Sequence, residues 1–199
     1  PDGAMARRPE LEKFAAEHGL KIGSIEDLIR HRLETEHTVE RVAERDIPTA
    51  HGDFRLVTYR DRLSRDLHFA LVLGQPRADT PTLVRVHVKN PLSDALHWQR
   101  ADFGVATGDA LAAVAKAGEG VGVVLSEPLS PDDLLARITE TTSPDAPRAR
   151  EWRRNGAGAQ ILHDLGLGKL RVLGTPRRQV GLAGYGLEVI EYVDGGRAR

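Results

Sequence analysis

Apolar positions first recur at helical spacing. After Pro9, where a first-turn proline is tolerated, Leu11, Phe14 and Ala15 form one face and Gly19 ends it. Ser24 can cap a second helix, with Asp27 three residues on, and Ile25, Leu28, Ile29 and Leu33 give that helix a face to bury. Two such helices make a poor core alone, so residues 1–36 read as the tail of something larger plus a charged linker, Glu34-Thr35-Glu36-His37. From Val39 the period changes to that of strands: Val39–Ala43, Phe54–Tyr59, Leu67–Leu73 and Leu83–Val88, divided by Pro48, Gly52-Asp53 and Gly74-Gln75-Pro76 as turns.

The second half alternates helix and strand. Ala106 to Ala117 is an alanine-rich helix ended by Gly118, and Val121–Leu125 is a buried-type strand. Ser130-Pro131-Asp132-Asp133 opens a helix with a cap, a first-turn proline and two acids that suit the helix dipole. Thr141 to Pro147 reads as a mobile loop. A helix from about Glu151 to Leu165, a strand Lys169–Leu173, a basic turn Thr175-Pro176-Arg177-Arg178 and a strand Leu187–Tyr192 complete a domain at 37–194, leaving 195–199 as a disordered tail. Strands first, then helices alternating with strands, predict an α+β fold: a mixed β-sheet flanked by helices and preceded by two short helices.

Composition narrows the chemistry. The chain has 199 residues, 40% of them hydrophobic, with 28 basic and 29 acidic side chains. Near-balanced charge gives no field that would draw nucleic acid or an anionic membrane, so anion binding must come from a local cluster. There is no cysteine, which excludes disulfides and thiolate-held metals. No apolar run reaches the roughly 18 residues of a spanning helix, and Pro1-Asp2-Gly3-Ala4-Met5 lacks the regions of a signal peptide. A cytoplasmic protein is the expectation, and a chain starting on Pro1 reads as a cropped or cleaved product.

Three stretches match one family in order. They are Arg85-Val86-His87 with Asp94, Arg100, Asp102 and Gly104; then Gly158-Ala159-Gln160-Ile161-Leu162, Asp164-Leu165-Gly166 and Lys169-Leu170-Arg171; then Pro176 to Leu182 with Gly184-Tyr185-Gly186-Leu187-Glu188-Val189. Together they resemble GTP cyclohydrolase II, the enzyme that opens the guanine ring at the start of riboflavin synthesis, from about Val39 to Val193. The leading segment, Asp2 to Arg7 with Leu11, Phe14, His18 to Gly23 and Asp27-Leu28-Ile29, is similar to the end of 3,4-dihydroxy-2-butanone 4-phosphate synthase. In many bacteria that synthase is fused ahead of the cyclohydrolase. The resemblance implies an upstream synthase domain as partner in the parent chain and a homodimer, both families being commonly dimeric.

It also implies a site whose ligands are absent. The working family holds zinc with cysteines in a Cys-x10-Cys-x-Cys arrangement, and the metal activates the attacking water. Without a gap, those positions fall on Asn90, Ala101 and Phe103, none a competent zinc ligand. A substituted site would need His87 or His97 with Asp102, residues that read more simply as core or surface side chains. No cofactor is therefore expected. The family's Arg-Gln-Glu-Gly-Arg-type loop for guanine and phosphate is replaced by Ser126-Glu127-Pro128-Leu129-Ser130, where Glu127 alone offers a carboxylate. Glu151 and Arg153 stand at the family's acid and arginine as a vestigial pair, although a first-turn acid and a solvated base explain them as well. Thr175, Arg177 and Arg178 align with a phosphate-holding loop, and arginine is a good bidentate phosphate ligand. A GTP-like nucleotide, weakly held, is thus the candidate ligand. The expectation is a cyclohydrolase-like domain without cyclohydrolase activity, serving structure, dimerisation or regulation, with residual nucleotide binding or GTP pyrophosphohydrolysis as the alternative.

Overall fold

The computed structural model describes residues 6–23, 31, 38–139, 148–176 and 182–194. Helix α1 (Arg8–Glu17) begins with Pro9 in its first turn and gives way to Gly19 at φ +63°. Leu11 and Phe14 do not find a core: they stay 43% and 53% exposed, and Ala15 is the residue this helix buries. The predicted helix from Ser24 falls outside the described residues except His31, which is helical. The predicted loop at Thr141 to Pro147 and the tail at 195–199 also lie outside them.

Seven strands follow: β1 (Val39–Thr49), β2 (Gly52–Asp61), β3 (Leu67–Leu73), β4 (Thr82–Val88), β5 (Gly120–Leu125), β6 (Lys169–Leu173) and β7 (Glu188–Val193). They form one sheet in the order β1-β2-β3-β5-β4-β6-β7. The β1-β2-β3-β5 pairings are antiparallel; β5-β4-β6-β7 run parallel. The expected mixed sheet is thereby observed. Pro48 is a correction: it lies within β1, opposite Asp53, and not in the turn. β1 is an edge strand, where a residue without an N–H costs no ladder on its open side. The turn comes later, with the Thr49 hydroxyl accepting from His51 N–H (3.1 Å) and donating to the Gly52 carbonyl (2.7 Å).

Among the described residues four more helices dress the sheet: α2 (Pro91–Asp94), α3 (Thr107–Ala117), α4 (Pro131–Ile138) and α5 (Arg148–Asp164). Short 3-10 turns occupy Ala101–Phe103 and Leu182–Tyr185. α2 and both 3-10 turns were not predicted, being too short to show a period. Buried side chains on the two faces of the sheet form two separate clusters. On one face Val57, Tyr59, Val84, Val121 and Val123 pack against Ala159, Ile161 and Leu162 of α5. On the other, Phe54, Leu71, Leu83 and Leu173 pack against Ala110, Leu111 and Val114 of α3. β5 lies between both layers, and its near-continuous burial is what a strand covered on both faces requires.

Two contacts fix the helices. Gly158 lets α5 lie close on β4, since a Cβ there would sit 3.1 Å from the Val86 side chain. Gln160 of α5, 3% exposed, accepts from the backbone N–H of Thr38 (2.8 Å) and Val39 (3.3 Å) and donates to the Tyr185 hydroxyl (3.2 Å). One side chain so ties the start of β1 to the turn before β7.

Candidate functional site

The chain leaves β4 through α3 to reach β5 on one side, and leaves β6 toward β7 on the other. Where connections diverge at the carboxyl ends of parallel strands, a crevice opens that open α/β sheets use for ligands. A cleft of about 510 Å³ lies there, lined among others by His87, Asn90, Asp102, Phe103, Arg137, Gly158, Gly174 and Thr175.

Its floor is a clamp built on β4. Arg85 donates to the carbonyls of Leu173 (3.2 Å) and Val105 (3.0 Å), joining the end of β6 to the loop before α3. Gly104 (φ +68°) and Gly174 (φ +138°) make room for that guanidinium: a Cβ on either would come within 2.8 or 2.9 Å of its nitrogens. Beside it, buried His87 meets the Asp94 carboxylate through Nε2 at 2.9 Å. Asp94 also accepts from Asn90 N–H (2.8 Å) and from the N–H and hydroxyl of Thr107 (both 3.3 Å), which begins α3. Burial pulls this carboxyl upward, but the bonds from Asn90, His87 and Thr107 outweigh it and hold it below its ordinary value.

The predicted ligand positions are all engaged in local structure. Asn90 is 5% exposed and caps α2, its Oδ1 accepting from Leu92 N–H at 3.1 Å. Ala101 opens the 3-10 turn. The Phe103 ring meets Trp98 edge-on at 5.7 Å, and the Arg100 guanidinium lies 4.8 Å from the Phe103 centroid and 5.3 Å from that of Trp98. Arg100 grips Asp102 through two nitrogens (2.9 and 2.8 Å), which keeps that carboxyl below its ordinary value. Of the substitute set, His87 and Asp102 line the cleft, while His97 is an exposed residue at φ +54°. Among the described residues no three His, Asp or Glu side chains gather to hold a metal ion.

The other predicted residues are placed unevenly. Thr175 lines the cleft; Arg177 and Arg178, which follow it, lie outside the described residues. Glu151 and Arg153 belong to α5, with their side chains outside the description. Glu127 is half-buried in the loop after β5 and does not line the cleft. That loop is fixed at its start by His68, whose Nδ1 accepts from Ser126 N–H at 3.1 Å. Burial lowers the His68 pKa, against the opposing pull of Asp61 and Asp66.

Residue-by-residue reading missed Arg137, which α4 brings to the cleft, and the clamp by Arg85. Arg85 carried a signal, since it lies in the matched Arg-Val-His stretch; Arg137, at the end of an ordinary amphipathic helix, carried none.

Against family models, residues 40–194 match the one described as GTP cyclohydrolase II. A 3,4-dihydroxy-2-butanone 4-phosphate synthase of Pseudomonas syringae pv. tomato is 50% identical over 199 aligned residues, covering 96% of this chain and 53% of that protein. The riboflavin biosynthesis protein RibBA of Aquifex aeolicus is 37% identical over 208, covering 96% and 50%. Among solved structures, RibBX from A. baumannii, described as a two domain 3,4-dihydroxy-2-butanone 4-phosphate synthase, is 37% identical with a TM-score of 0.66, covering 97% of this chain and 50% of that one. The chain spans about half the length of the curated relatives it matches. Among the described residues no helix is long and apolar enough to cross a membrane.

Proposed function

We propose a function from one premise: this chain belongs to the GTP cyclohydrolase II family. It is a cyclohydrolase-like module of a cytoplasmic riboflavin biosynthesis protein, carried behind a 3,4-dihydroxy-2-butanone 4-phosphate synthase domain whose tail is residues 1–36. It serves structure, pairing into a homodimer or regulation, and does not open the guanine ring. The names of the relatives support the pathway, and their length supports an upstream synthase.

The observation that carries the reading is what stands at the three ligand positions. Asn90 spends its oxygen on a helix cap, Ala101 has no donor atom and Phe103 is an aromatic wall. These residues do not fit a zinc ion, which takes sulfur, imidazole nitrogen or carboxylate oxygen. The test is metal content and turnover on the purified chain. We expect no stoichiometric metal and no formate from GTP. Bound zinc together with formate release would overturn the reading.

A second reading, nucleotide binding without ring opening, is favoured by the cleft itself. Arg137 and Thr175 line it, and Arg177 and Arg178 follow Thr175 in the chain. Calorimetric titration with GTP separates the two: heat of binding supports a ligand-sensing role, and a flat titration leaves the structural role. Pyrophosphate release that is lost in Arg153→Ala would make the retained chemistry phosphohydrolysis.

A further inference from the structure

We propose that Arg100 is a latch that fastens helix α4 across the cleft, and that this latch works without a metal. Its guanidinium is held along its edge and lies close to two aromatic rings. On the edge it grips the Asp102 carboxylate through two nitrogens at 2.9 and 2.8 Å, and a third nitrogen donates to the Arg137 carbonyl, in the last turn of α4, at 2.8 Å. The rings of Trp98 and Phe103, which meet edge-on, lie beside it with centroids 5.3 and 4.8 Å from its central carbon. The Arg100 side chain is 24% exposed and that of Asp102 60%, so the ion pair faces water while the bond to Arg137 is the more sheltered one.

The edge bonds join the two walls of the cleft. Asp102 and Phe103 come from the Ala101–Phe103 turn and Arg137 from α4. None of the eight residues of α4 is buried, and Leu135 and Ile138 remain 57% and 47% exposed. A helix whose apolar residues are at most half-buried gains less from packing and leans more on discrete bonds. The planar fork of arginine can serve a carboxylate, a carbonyl and two rings at once; the point charge of lysine cannot. The latch stands whether or not the cleft binds a nucleotide, because every partner is a residue of the chain.

Amide hydrogen exchange on the full chain, read by mass spectrometry, tests this. In R100A the α4 amides exchange about tenfold faster while those of β4 and β5 keep wild-type rates. R100K, which keeps the charge and loses the fork, accelerates α4 nearly as much. R62A, which removes an exposed pair with Glu40 on the β2–β3 turn, leaves α4 unchanged. Excess EDTA and added zinc chloride also leave wild-type α4 unchanged. Exchange of α4 within about twofold of wild type in R100A overturns the latch, as does EDTA that accelerates α4 as R100A does. Should R100A fail to fold, F103L keeps the edge bonds and removes one ring; about a threefold acceleration is expected, and none overturns it.

Discussion

Asp94 shows how much one side chain can join. Its carboxylate holds His87 of β4, the backbone at Asn90 and the first residue of α3, so it closes the loop on which the candidate site is built. Asp94→Asn keeps the shape, loses the charge and turns an amide toward donors. A loss of about 2 kcal/mol is expected, read from urea unfolding at pH 7. The pH dependence follows from the direction of the shift. A carboxyl held below its unfolded value, roughly 3.9, contributes fully above that pH, and the contribution fades as pH falls through the folded value. The wild type and Asp94→Asn should therefore differ at pH 7 and converge below about pH 4. A gap that stays constant to low pH would mean that the ionised carboxylate is not what Asn fails to replace.

At the scale of elements, close approach decides the architecture. α5 can lie on β4 because Gly158 has no side chain to meet Val86. Gly158→Val must push the helix outward, at an expected cost of about 2–3 kcal/mol in thermal or urea unfolding. It would also reshape the cleft, since Gly158 lines it. Unchanged stability would show that the helix has slack. Long elements with a clear period were legible from the sequence: β2, β3, β5, α3 and the capped start of α4 all lie close to where alternation, glycine ends and Ser130 put them. What escaped was short or non-local. α2 is a single turn defined by the Asn90 cap, and Pro48 was misread because turn chemistry is local whereas edge position belongs to the sheet. The bonds of Gln160 to Thr38 cross 122 residues, a pairing that no periodicity encodes. The three ligand positions were legible as letters, but their duties as cap and aromatic wall were not.

For the molecule as a whole, the sheet order sets a gradient of protection. β4 and β5 lie between two packed layers, while β1 and β7 are edges with largely exposed or half-exposed side chains. Native-state hydrogen exchange should find β4 and β5 opening with free energies near that of global unfolding, and β1 and β7 opening below it. Equal protection across the sheet would show that it opens only as one unit. The Asn90 cap carries a further consequence. At two of the three ligand positions the residue present helps to hold the fold: Asn90 as a cap and Phe103 as a ring beside Arg100. A cysteine in place of Asn90 strips a cap, and one in place of Phe103 removes a ring from beside Arg100, so each is expected to lower stability in urea unfolding whether or not metal is added. The fold thus has a stake of its own in these positions, apart from any ligand.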